Sequence, residues 1–215
     1  MVCRRSSEKS FIKSQKKLSL LIVNEKVIFN NSLGDITSVD IKNGRMLWQT
    51  PTQSTSIYED TFSLKTSDLI ASNGLIIFSN NKNEFYSLDM NKGNLNWKQK
   101  INSNLRPTLI GDLIFTVSLE GFLVVVDKKN GNVIRSTDIF KKFSNKKRKI
   151  IKPIGFIVGL DKIYLTTSNG RLLIIDILSG KTISILKIDN KKISRPFVLN
   201  QNLFIIEKNS IIKLD

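Results

Sequence analysis

Gly34-Asp35-Ile36-Thr37-Ser38-Val39-Asp40-Ile41-Lys42-Asn43-Gly44-Arg45-Met46-Leu47-Trp48 recurs downstream as Asn83-Glu84-Phe85-Tyr86-Ser87-Leu88-Asp89-Met90-Asn91-Lys92-Gly93-Asn94-Leu95-Asn96-Trp97. A third copy runs from Gly121 through Asp127 to Gly131, and a fourth from Gly170 through Asp176 to Gly180. A fifth begins at Asn209 and reaches Asp215. The Asp-to-Asp spacings are 49, 38, 49 and 39 residues, so the chain is a repeat before it is anything else.

Each copy has the same physical reading. A short strand delivers an Asp whose side chain accepts backbone N–H bonds, and the Gly four residues on takes the positive-φ position that closes a hairpin. The turn residues are therefore Asp40, Gly44, Asp89, Gly93, Asp127, Gly131, Asp176 and Gly180. Four equivalent carboxylates at four equivalent turns are architecture, not catalysis. Upstream of each copy lie two more strand-like runs rich in β-branched and aromatic residues, such as Ser67 to Ala71 followed by Leu75-Ile76-Ile77-Phe78. Four short antiparallel strands per repeat predict an all-β fold, a β-propeller of four-stranded blades. The expected blades are about 18–50, 64–102, 105–139, 153–189 and an incomplete 193–215, preceded by a basic arm at 1–17. Trp48 and Trp97 occupy one position on the fourth strand and are expected to pack between blades, whereas Arg135 and Ser184 stand there in the next two repeats.

Composition narrows the function. The chain has 215 residues, 40% of them apolar, and 34 Lys plus Arg against 18 Asp plus Glu, a formal charge of +16. That apolar fraction suits a globular core and not a disordered segment. No apolar run is long enough to cross a bilayer, and Met1 to Glu8 lead into no apolar stretch, so neither a membrane span nor a signal peptide or lipobox is read. With no His, Ser-His-Asp and Cys-His catalysis cannot occur within the chain. Cys3 is the only cysteine, which excludes an internal disulfide, a zinc cluster and a CxxC pair. Lys outnumbers Arg 26 to 8 beside abundant Ile and Asn, a bias that assigns part of the charge to A/T-rich codons.

Asp-x-x-x-Gly-x-x-x-Trp after a strand, as in Asp40/Gly44/Trp48 and Asp89/Gly93/Trp97, resembles the PQQ-like repeat, the blade unit of eight-bladed quinoprotein-type propellers. The segment Ser136 to Phe143 and the end of the chain after a third strand look closest to the C-terminal half of the non-enzymatic branch, the outer-membrane protein assembly factors of the BamB type. The resemblance implies about five blades of an eight-bladed ring, a periplasmic location and a scaffold that assists outer-membrane protein assembly. A closed five-bladed ring, with Ser10 to Ser14 as its closing strand, stays open as the alternative.

Three functions follow as expectations. The first is a non-catalytic scaffold whose partner, by resemblance the β-barrel assembly component, docks on inter-blade loops. Tyr58, Glu59, Asp60 and Asp68 are its candidate contacts, Asp68 by position before a first strand. The second is a PQQ-dependent dehydrogenase, which needs a catalytic Asp, a calcium cage and, by resemblance, a cysteine pair that this chain cannot supply. No cofactor, metal ligand or catalytic residue is nominated. The third is contact with an anionic surface through the basic loop Lys141 to Lys149, nucleic acid being disfavoured because only Phe140 and Phe143 interleave the charge.

Overall fold

A computed structural model describes residues 18–31, 34–52 and 64–214. The basic arm, the closing strand expected at 10–14 and the Tyr58-Glu59-Asp60 stretch lie outside them.

The described residues form five antiparallel sheets in chain order. The first holds β1 (Leu20–Val23), β2 (Lys26–Asn30), β3 (Ile36–Asp40) and β4 (Met46–Thr50). The second holds β5 (Ile70–Ser72), β6 (Leu75–Asn80), β7 (Glu84–Asp89) and β8 (Leu95–Gln99). The third holds β9 (Thr108–Ile110), β10 (Leu113–Val117), β11 (Phe122–Asp127) and β12 (Val133–Asp138). The fourth holds β13 (Pro153–Val158), β14 (Lys162–Thr167), β15 (Arg171–Asp176) and β16 (Thr182–Lys187), and the fifth β17 (Phe197–Leu199), β18 (Asn202–Glu207) and β19 (Ser210–Leu214). Every strand pairs with its neighbour in sequence, so each sheet is a meander that tight turns can close. Type I′-like turns join first and second strands: Asn24 and Glu25 (φ 47° and 60°), Asn73 and Gly74 (50° and 77°), and Asn200 and Gln201 (48° and 64°).

Two details differ from the sequence reading. The first strand of the second sheet begins at Ile70 and not at Ser67, because Thr66 makes only an isolated bridge to Asn80 and Ser67 turns its hydroxyl to the Ser79 N–H and the Asp68 carbonyl. The basic stretch read as a loop contains a short helix, α1 (Asn145–Ile150), whose last turn carries Lys147, Arg148 and Lys149 where cations suit the helix dipole.

The sheets stack face to face, and this is why the middle strands are buried on both sides while the fourth strands are largely exposed. A separate core fills each successive interface. Ile28 and Ile36 meet Phe78 and Leu88; Ile77 and Phe85 meet Ile114 and Val126; Val117 and Val125 meet Leu165 and Leu173. The fourth interface is thinner, with Leu172, Ile193 and Ile205 its only fully buried members among the described residues. Each fully buried Phe or Leu stabilises the stack by about 2–3 kcal/mol, so the fifth sheet is held least firmly. Among the described residues no core joins the fifth sheet to the first.

Each four-stranded sheet carries a bulge between its third and fourth strands, always two residues before the turn Asp. Ser38 pairs Trp48 but Val39 pairs Met46, and the same slip follows Ser87, Val125 and Ile174. The skipped residues are Leu47, Asn96, Ile134 and Ile183, all exposed. A bulge re-aims the side chains beside it, and here it directs residues 48, 97 and 135 at the next sheet.

Candidate functional site

The repeat residues are consumed by the architecture. Asp40 Oδ1 accepts from the N–H groups of Lys42 and Asn43 at 2.8 and 3.1 Å, Asp89 from Asn91 and Lys92 at 2.9 and 2.7 Å, and Asp127 from Lys129 and Asn130 at 2.8 and 3.0 Å. Asp176 accepts from the hydroxyl and N–H of Ser179, which hold its carboxyl below the usual range. Gly44, Gly93, Gly131 and Gly180 all have φ near +70° and donate to the carbonyl of the turn Asp. The Oδ1 of each of these carboxylates is engaged in its own turn, the role of a structural Asp.

The Gly also receives the preceding blade. Trp48 Nε1 donates to the Met90 carbonyl at 3.2 Å and Trp97 Nε1 to Lys128 at 3.0 Å, each the residue after the next blade's turn Asp. The rings then lie flat on that turn, and a Cβ on Gly93 or Gly131 would fall 2.5 or 2.6 Å from the indole. Arg135 does the same work in the third blade. Its Nη2 donates to the Ile177 carbonyl at 2.8 Å, again the residue after the Asp, and its Nη1 to Leu178. The guanidinium replaces the indole as a flat donor. Ser184, at the matching position of the fourth blade, is too short to reach so far.

One polar cluster is built into the second blade. Lys98 Nζ lies 2.7 Å from Glu84 Oε1 and 5.1 Å from the Tyr86 ring centre, and Asn80 Nδ2 donates to Glu84 Oε2. Burial pushes the Glu84 carboxyl up, but the donors Lys98 and Asn80, with the charge of Lys98, outweigh it and hold the group below its ordinary value. Burial, and the Glu84 carboxylate beside it, raise the Tyr86 phenol strongly, and its hydroxyl donates to the Thr52 carbonyl at 2.8 Å.

The groups that the architecture leaves over lie at the mouth of the axial groove. Because each sheet is a meander, the turns between first and second strands and those between third and fourth share one face, and they bond to each other, as Met90 N–H does to Gly74. The inter-blade connections therefore emerge on the opposite face. There the first strands of blades two to five line a groove of about 820 Å³ whose surface mixes polar groups with apolar side chains such as Leu109, Ile157 and Val198. Counted back from their turns, Asp68, Arg106, Gly155 and Arg195 are equivalent residues of these four blades. Glycine at 155 gives Arg195 its path, since a Cβ there would lie 2.3 Å from the Arg195 Cβ. Arg195 Nη1 thereby comes within 3.7 Å of Asp68 Oδ2, bringing the fifth blade to the second across the groove. Arg106 stands between them, exposed, with no ion pair among the described residues, so the mouth carries a net positive charge.

Of the contact residues expected from sequence, Asp68 is thus placed at the mouth, and Tyr58, Glu59 and Asp60 lie outside the described residues. Arg106 and Arg195 were not singled out. Their signal was an Arg-Pro pair before two first strands, Arg106-Pro107 and Arg195-Pro196. Phe140 is fully buried and Phe143 packs against the same core, so neither can stack on a base.

A family model described as outer membrane protein assembly factor BamB matches residues 4–137. No curated protein matches the sequence. Among solved structures, BamB from Moraxella catarrhalis aligns with a TM-score of 0.53 at 16% identity, covering 90% of this chain and 70% of that one. The computationally designed Ika8 protein aligns with a TM-score of 0.64 at 11% identity, over 86% of this chain and 54% of that one. The β-propeller domain of Cps50 (Swd1) from Myceliophteria thermophila gives 0.65 at 12%, over 92% and 63%. At these identities the likeness is one of fold, and the chain spans less than two thirds of the latter two.

Proposed function

This chain belongs to the outer membrane protein assembly factor BamB family of PQQ-like repeat propellers, and from that premise we propose that it is a non-catalytic scaffold for outer-membrane protein assembly on the periplasmic side. The partner, a component of the β-barrel assembly machinery, docks on the face that carries the inter-blade connections and the groove mouth. One observation supports this most: the Asp, Gly, Trp and Arg135 positions of the repeat are spent on turns and blade packing, whereas at the groove mouth, beside the exposed Val198, Arg195 is paired with Asp68 and Arg106 is in no ion pair among the described residues. Arginine beside exposed apolar surface is the composition of an interface anchor.

The test is calorimetric titration of the full chain with the periplasmic region of the β-barrel assembly component. Arg106→Glu and Arg195→Glu should each weaken binding about tenfold or more, as expected for charges inside an interface, with unfolding midpoints unchanged. Lys92→Glu, on the opposite face, should leave affinity as it is. Absence of binding, or equal loss from all three variants, overturns the proposal.

A further inference from the structure

The connection from the third blade to the fourth emerges on the same face as the groove mouth and carries a second charged surface, made of residues that do not line the groove. Lys141, Lys146, Lys147, Lys149 and Lys152 are all exposed, and among the described residues none of them is in an ion pair. In this stretch Arg148 alone is neutralised, by Asp138 at 2.7 Å, a contact that pins α1 back onto the end of β12. Lys142 is likewise spent, its Nζ donating to the Ile183 carbonyl at 3.0 Å. The helix buries none of its residues, and Ile150 at its last turn is 75% exposed in the midst of the lysines.

We infer that α1 and its flanks form a contact site for the surface of an anionic phospholipid bilayer. Three features favour lipid over nucleic acid. The patch is a short protruding helix and not a groove that could track a strand. Its two aromatic neighbours, Phe140 and Phe143, are packed into the core between blades three and four, so no ring is free to stack on bases. An exposed Ile ringed by lysines suits an interface with acyl chains below and anionic headgroups around it, the two signals that reversible membrane binding needs. Each lysine near an anionic surface contributes on the order of 1 kcal/mol, so the five unpaired ones can hold the domain at a membrane with no spanning segment. Among the described residues no helix is long and apolar enough to cross a bilayer.

The experiment is co-sedimentation of the full chain with phosphatidylcholine vesicles, with and without a minority of phosphatidylglycerol, at low and at physiological salt. The chain should sediment with the phosphatidylglycerol vesicles only, more weakly as salt rises. Reversal of three lysines in K146E/K147E/K149E should lower the partition roughly 100-fold or more. The same number of reversals on the opposite face, K92E/K129E/K181E, should leave most of it. Ile150→Ser, which removes no charge, should weaken vesicle binding several-fold and leave binding to duplex DNA unchanged. Equal loss from both triple variants would reduce the effect to net charge and overturn the site, as would indifference to Ile150→Ser. Tighter binding to DNA than to the vesicles at the same salt would overturn it in favour of nucleic acid. None of these variants touches Arg106 or Arg195, so failure here leaves the docking proposal standing, and the reverse.

Discussion

Gly131→Ala isolates what holds one blade to the next. Gly131 and Gly74 share the same backbone conformation, with φ of +76° and +77°, but a Cβ at 131 would lie 2.6 Å from the Trp97 ring, whereas at 74 it would meet nothing within 4 Å. Placing an L side chain in the left-handed region costs about 1 kcal/mol at either site. At 131 the methyl must also displace a nearly buried indole, an over-packing cost of about 1–3 kcal/mol. The expected destabilisation is thus about 1 kcal/mol for Gly74→Ala and about 2–4 kcal/mol for Gly131→Ala. Urea unfolding followed by far-UV circular dichroism reads both, with slopes compared as well as midpoints because stacked repeats can unfold in steps. In a Trp97→Leu background the penalty at 131 should fall to that at 74, which a double-mutant cycle measures. If Gly131→Ala costs no more than Gly74→Ala, the close approach of indole and turn does not support the interface and the reasoning fails.

Arg135 should be replaceable by the residue it stands in for. Arg135→Trp can donate from its indole to the Ile177 carbonyl as Trp97 does to Lys128, so its unfolding free energy should stay within about 1 kcal/mol of the parent, while Arg135→Ala leaves two carbonyls without their donor and costs about 1–2 kcal/mol. Equal destabilisation by Trp and Ala would refute the equivalence. Glu84 links stability to pH. Its carboxyl is depressed in the folded state, so its contribution is full above the ordinary carboxylate range and is lost as pH falls through the folded value. Glu84→Gln should therefore lower stability at neutral pH and flatten its decline in acid; parallel pH profiles for parent and variant would show that the Lys98 contact contributes nothing.

The strands and turns were legible because their determinants are local. An Asp that caps a turn and a Gly at positive φ act within five residues, and their regular return announces the blades. Arg135 was legible only as a missing Trp. Its sequence position was plain, yet that a guanidinium could take over the indole's bond depends on where the next blade's carbonyl lies. The bulges after Ser38, Ser87, Val125 and Ile174 left no sequence signal, since the skipped residues Leu47, Asn96, Ile134 and Ile183 include no glycine or other residue that marks an irregular strand. The helix α1 escaped too, because five polar residues and one Ile without a buried face have no periodicity to read.

By itself, then, the sequence determined the fold class, the repeat unit and the residues that close each turn, all set by contacts between near neighbours along the chain. The tertiary structure decided what the remaining charges do. Asp68 and Arg195 are 127 residues apart and meet only because stacking curves the fifth blade toward the second and Gly155 clears the path. Arg106 stands at the groove mouth, and the lysines beside Ile150 stand unpaired, for the same reason: the direction in which a side chain points from a blade is fixed by the packing of whole sheets, which no local pattern encodes.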